Sequence, residues 1–132
     1  MKKYQIALVI LVVLIITWFF IRFIIGGNED DWIKDSRGIW IKHGNPAQVP
    51  NEVAEQQQAL ACASQLYNKA KQEGMNFSSQ CLGTCQNFAV DIVHVPRAEE
   101  DNSQENQCQD FREGKVSRFI ELDNQGEIVR VV

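Results

Sequence analysis

From Tyr4 to Ile25 the chain runs through 22 residues in which only Gln5, Thr17 and Arg22 interrupt Ile, Leu, Val, Ala, Phe and Trp. A helix on the surface of a small domain keeps one polar face, and this segment has none. As a helix it is about 33 Å long at roughly 1.5 Å per residue. That matches a bilayer hydrocarbon core of about 30 Å. The expected structure is a transmembrane anchor that contacts the lipid bilayer through residues 4–25. Tyr4 and Trp18 suit its two interfaces, and the long Arg22 side chain can reach the headgroups from near one end. Lys2 and Lys3 precede the segment and Glu29, Asp30 and Asp31 follow it. The positive-inside rule therefore places the N-terminus in the cytoplasm and the rest of the chain outside a cell membrane, with Arg22 a minor contrary charge. A cleaved signal peptide fits less well. Its apolar core is normally about 7 to 15 residues, and a cut after Gly27 puts Ile25 where a small residue is preferred.

Composition supports the division. At 132 residues the chain is long enough for one domain, not two. Residues 1–27, the anchor, carry only Lys2, Lys3 and Arg22. Residues 28–132, the extracytoplasmic domain, carry the remaining ten basic residues against all seventeen acidic ones, a net charge of −7. Such a balance argues against nucleic acid as a partner, since those domains present a Lys/Arg excess.

Gly26-Gly27 reads as a short joint. Trp32–Lys34 and Ile39–Lys42 read as strands around the turn Asp35-Ser36-Arg37-Gly38. Asn51–Glu73 reads as a helix, capped by Asn51 and stopped by Gly74. Ala59, Cys62, Ala63, Leu66, Tyr67 and Ala70 form its apolar stripe, and the alanines allow close approach to a sheet. Phe88–Val95 is a β-branched strand ended by Pro96. Val116–Leu122 and Glu127–Val132 form a hairpin around Asp123-Asn124-Gln125-Gly126. The expected fold is α+β: an N-terminal transmembrane helix, then a small antiparallel sheet with one packed helix, in the order β-β-α-β-β-β. Arg97–Asp110 is a long acidic loop, a kind of segment that is usually functional or mobile.

All four cysteines, Cys62, Cys81, Cys85 and Cys108, lie in the exported part, and an even count there predicts two disulfides. Three pairings are open. The preferred ones join Cys62 to Cys81 or Cys85 and give Cys108 the remaining partner. A zinc site built on Cys81 and Cys85, with Cys62, Cys108, His43 or His94, is the rival reading, although no second close pair follows. Redox chemistry is a further rival, for which a CxxC motif would be the better sign.

Little else carries chemistry. His94 shares a strand face with Phe88, Val90 and Ile92 and reads as a packing residue; His43 sits beside a turn. Asp91 and His94 fall on opposite faces and make a poor acid–base pair. Glu99, Glu100, Asp101 and Asn102 offer oxygens to calcium, but their spacing is not that of an EF-hand, and a solvated charged loop is the expected reading. Asn76-Phe77-Ser78 is a glycosylation sequon in a loop. No recognisable catalytic constellation, phosphate loop or cofactor motif is present, so neither a cofactor nor an enzyme is expected.

Trp40-Ile41-Lys42-His43-Gly44-Asn45-Pro46, after an anchor and an acidic stretch and followed by Val49-Pro50, resembles a W-x-K-H-G-N-P segment of uncharacterised small membrane-anchored proteins of archaea and small-genome bacteria. Many of those have a Cys close to this segment, and this chain does not. The resemblance covers about twenty residues, implies an anchored, exported protein and carries no activity. The functional expectation is a single-pass protein with a small disulfide-stabilised interaction domain that contacts another envelope protein. A pilin-like subunit and a metal-dependent enzyme or metal-binding domain are the alternatives. The pilin plan lacks a Gly or Ala processing site before the apolar run and an early Glu within it.

Overall fold

A computed structural model describes residues 2–25 and 30–132. The Gly26-Gly27 joint, Glu29 and the junction after Gly27 lie outside the described residues. The chain forms two compact units: residues 1–33 with 41–49, and residues 34–40 with 50–132.

In the first unit, helix α1 spans Lys3–Phe20 and continues as a wider π turn over Ile21–Ile25. The Lys2 backbone N–H donates to Gln5 Oε1 at its start. The Thr17 hydroxyl donates back to the Val13 carbonyl at 2.8 Å, so this polar side chain is satisfied within the helix. None of α1 is buried, and Lys3–Ile24 is long and apolar enough to cross a membrane. Arg22 pairs with Asp30 at 2.7 Å. The Asn45 side-chain amide donates to the Phe23 carbonyl, one of the helix-end acceptors that would otherwise lack a partner. Strands β1 (Asp31–Lys34) and β2 (Trp40–His43) pair as a two-stranded sheet.

In the second unit, Asp35 organises the expected turn. Its carboxylate accepts the N–H groups of Arg37 and Ile39, and its carbonyl accepts that of Gly38. Helix α2 spans Asn51–Gln72. Asn51 is not its cap: Pro50 holds that position and its carbonyl accepts the Val53 and Ala54 N–H groups, so Asn51 is the first helical residue. Proline's fixed φ suits an extended residue at this boundary. The helix stops just before Gly74 as expected: Glu73 is the last αR residue, and Gly74, at φ +77°, donates its N–H to the Lys71 carbonyl. Ala59, Ala63, Tyr67 and Ala70 are buried, and so are Val53 and Gln56, which lengthen the stripe. Gln56 bridges two backbone groups, accepting from Trp40 N at 2.7 Å and donating to the Gly38 carbonyl at 3.0 Å.

Four further strands, β3 (Gln80–Cys85), β4 (Phe88–Ile92), β5 (Arg118–Leu122) and β6 (Ile128–Val131), form one sheet in that order. The α+β architecture agrees with expectation, with two differences. First, β3 is an additional strand, joined to β4 by a two-residue turn at Gln86-Asn87. Second, β4 and β5 are parallel, so this sheet is mixed rather than antiparallel. Parallel neighbours need a crossover of a dozen residues or more, and the segment 93–117 supplies it, with short helical turns at Glu99–Asn102, Gln104–Asn106 and Gln109–Arg112. Strand β4 also ends at Ile92 rather than Val95, because the next free amide, that of His94, turns to the Asp101 carboxylate.

The β5–β6 hairpin forms where expected. Asp123 accepts the Gly126 N–H on its carbonyl and the Gln125 and Glu127 N–H groups on its carboxylate. Gly126 sits at φ +86°, and a Cβ there would run into the Tyr67 ring. Glycine thus meets two demands at once.

The sheet has two unlike faces. Phe88, Val90, Ile92, Ile120 and Leu122 pack with Ala59, Ala63 and Tyr67 of α2 in the main core. On the other face, Ala89 joins Cys108 and Val116 in a smaller cluster edged by Phe111 and Phe119.

Candidate functional site

The second face is where charge is buried. Strand alternation that sends Val90 and Ile92 to α2 sends Asp91 the opposite way, and on β5 it does the same to Glu121. The parallel register pairs Asp91 with Glu121 directly. Two carboxylates therefore stand side by side beneath the crossover.

Glu121, only 5% exposed, is neutralised from two directions. Arg97 Nη1 donates to its Oε1 at 2.9 Å from the crossover. Arg130 donates Nε and Nη2 at 3.0 and 3.1 Å from β6. This second contact is a bidentate fork, the geometry a guanidinium offers a carboxylate best. Arg130 also lies over the Phe119 ring, 5.0 Å from its centre. Among the described residues, Asp91 receives no such guanidinium. Burial pushes its pKa up from 3.8 to about 6, the Cys108 backbone N–H works against that, and the Glu121 charge adds to it. A cavity of about 70 Å³ adjoins the cluster and is lined by Asp91, Arg97, Asn106, Glu121 and Arg130, among others.

The acidic loop departs from expectation, because it is not simply solvated. Asp101 is buried, and its carboxylate accepts the backbone N–H groups of His94 and Ala98. Burial raises the Asp101 pKa, but those N–H donors, together with the His94 ring and Ser79, outweigh it and hold the carboxyl below 3.8. His94 Nδ1 lies 2.9 Å from Asp101 and Nε2 lies 3.2 Å from Glu100. His94 is thus satisfied, though by acidic partners rather than by the core. The calcium reading loses its central ligand, since N–H groups occupy the Asp101 oxygens, while Glu99, Glu100 and Asn102 are exposed. His43 is exposed in the first unit, and Asn76 of the sequon is exposed just beyond α2.

The four cysteines form two disulfides, Cys62–Cys85 and Cys81–Cys108. Both bonds belong to the preferred set of pairings, and the thiolates of the zinc reading are consumed by them. The first ties α2 to β3 within the main core; the second ties β3 to the crossover. Cys81 and Cys85, four residues apart, would share a face of a regular strand. They do not, because the register slips between Cys81, opposite Asp91, and Gly83, opposite Val90. Leu82 is the extra residue of a β-bulge, which turns every later side chain to the other face. Gly83 makes this possible with φ +147°, at a point where a Cβ would press on Leu66 of α2.

Sequence reasoning passed over Glu121, Arg97 and Arg130. The available signal was a single acidic residue inside each of two apolar strands, Phe88–Ile92 and Arg118–Leu122, which implies buried or paired carboxylates once both strands lie in one sheet.

No protein-family model, no curated protein and no solved structure matches this chain.

Proposed function

We propose that this is a single-pass membrane protein whose N-terminal helix anchors a small, disulfide-stabilised interaction domain outside the cytoplasm. The observation that carries the reading is the pairing of two features. An apolar helix has no buried residue, and the domain that follows it has all four cysteines paired. A helix of this composition needs an apolar environment, and disulfides persist in oxidising compartments. The Arg22–Asp30 ion pair supports the orientation, because it offsets the one charge on the far side of the helix that opposes it.

The interaction surface is the acidic rim of the crossover, where Glu99, Glu100 and Glu105 are exposed. It suits a basic patch on another envelope protein. Asn76 is accessible to a glycosyl transferase on that side.

Topology is tested by protease treatment of sealed cells that carry a C-terminal epitope tag. The expected result is loss of the tag from intact cells, with a protected fragment that contains Lys3–Ile24. A tag that stays protected until the membrane is opened would overturn the proposal.

A further inference from the structure

The Cys81–Cys108 bond is placed unlike its companion. Cys81 is exposed on β3, an edge strand of the sheet, whereas Cys108 is 1% exposed. Three oxygens surround the Cys108 sulfur: the Gly83 carbonyl at 3.3 Å, Asp91 Oδ1 at 3.3 Å and the Val90 carbonyl at 3.6 Å. A disulfide sulfur carries no hydrogen and can donate to none of them, but a thiol can donate to any one. The pocket is complementary to the reduced sulfur.

We propose that Cys81–Cys108 is a redox-active disulfide that exchanges with an external dithiol, and that Asp91 is the acid that protonates Cys108 as it leaves. One thiolate of the dithiol attacks the exposed Cys81 sulfur. The Cys81–Cys108 bond breaks, its electron pair goes to Cys108, and Cys108 takes the Asp91 proton to become a thiol. The second thiolate of the dithiol then attacks the first dithiol sulfur in the mixed disulfide. Cys81 is released as a thiolate and protonated by water. The dithiol ends as a disulfide, the Cys81/Cys108 pair has gained two electrons, and Asp91 recovers its proton from solvent. Attack falls on the accessible sulfur, and the buried sulfur, which faces oxygens and would be a poor thiolate, leaves because Asp91 protonates it as the bond breaks. A carboxylic acid with a pKa of about 6 supplies a proton near neutral pH, where an ordinary Asp could not. The charged groups around it are Glu121 on β5, Arg97 and Asp101 on the crossover, and Arg130 on β6. Both arginines are engaged by Glu121.

This inference goes beyond the anchoring proposal and stands without it. The test uses the full chain in detergent micelles, so it does not depend on topology. The protein is treated with dithiothreitol, quenched in acid, alkylated and mapped by peptide mass. Cys81 and Cys108 should open at least tenfold faster than Cys62 and Cys85. Glutathione, as a single-thiol probe, should be caught on Cys81. Corrected for the thiolate concentration of the reductant, the opening rate should fall as pH rises through about 6. Asp91→Asn should remove that fall and slow opening at least tenfold at pH 5.5, and Asp91→Glu should restore part of the rate. The proposal is overturned if both disulfides open together, if glutathione is found on Cys108, or if a folded Asp91→Asn variant opens at the wild-type rate.

Discussion

On its α2 side the four-stranded sheet presents Phe88, Val90, Ile92, Ile120 and Leu122 to the small residues of a helix; on its crossover side the same strands present Ala89, Asp91, Phe119 and Glu121. Each side has one disulfide, and the two close loops of similar length, with sequence separations of 23 and 27. Loop-closure entropy therefore assigns them nearly equal stabilisation, about 3 to 4 kcal/mol each. The difference lies in surroundings. One bond is set in an apolar core; the other has a carboxyl and two carbonyls against its buried sulfur. Apolar packing makes the first face stable, and the second holds groups whose charge and redox state can change.

The largest effect that would sharpen this contrast is on the helix side. Phe88 is fully buried in the main core, and Phe88→Ala should cost about 3 to 5 kcal/mol in urea unfolding. A loss below 1 kcal/mol would mean that the α2 face is not the stabilising one. On the crossover side, Glu121→Gln removes the charge that holds Arg97 and Arg130 and should cost about 1 to 2 kcal/mol at pH 7. An unchanged midpoint would show that the two guanidinium contacts contribute nothing.

Asp91 should respond in the opposite sense. Its pKa rises from 3.8 to about 6 on folding, so the folded state holds the proton more tightly. Stability is greatest where the group is protonated, below about pH 4, and declines as pH rises toward 6. Asp91→Asn should abolish this decline and leave the domain more stable than the wild type at pH 8, by about 1 kcal/mol after allowance for partial solvent exposure. Asp101 works the other way. Its lowered pKa makes the contribution of the His94–Asp101 contact disappear as pH falls below about 4. Melting temperatures across pH 3 to 8 for the wild type, Asp91→Asn and Asp101→Asn would separate the two trends. A wild-type curve without a decline between pH 4 and 6 would contradict the account of Asp91.

What could be read from sequence was local in origin. The stripe of α2, its stop at Gly74, the Asp35 turn and the Asp123–Gly126 connection each depend on neighbours a few residues apart, and each formed as expected. Strand β3 escaped because Gln80–Cys85 contains a glycine and breaks its own alternation at Leu82, which erases the period-two signal a strand gives. The parallel β4–β5 pair escaped for another reason. Its register is set by a 25-residue crossover between Ile92 and Arg118, and no nearby pattern encodes that. The charged site followed the same fate. Asp91 was visible as an acidic residue in an apolar strand, but its neighbour Glu121 is thirty positions away, and only the parallel register brings the two together. Different partners for Cys81 and Cys85 are expected from the sequence; which of the two goes to Cys62 is decided by the bulge at Leu82, which turns them to opposite faces of the sheet.

The central claim is that two separately placed disulfides serve the two faces of the sheet. Rapid alkylation of native membranes, followed by digestion without reduction and peptide identification, tests it most directly. The expected result is a cross-linked Cys62–Cys85 peptide pair in the whole population, with Cys81 and Cys108 found linked to each other or individually alkylated. Alkylated Cys62 or Cys85, or a bond from either of them to Cys81 or Cys108, would contradict it.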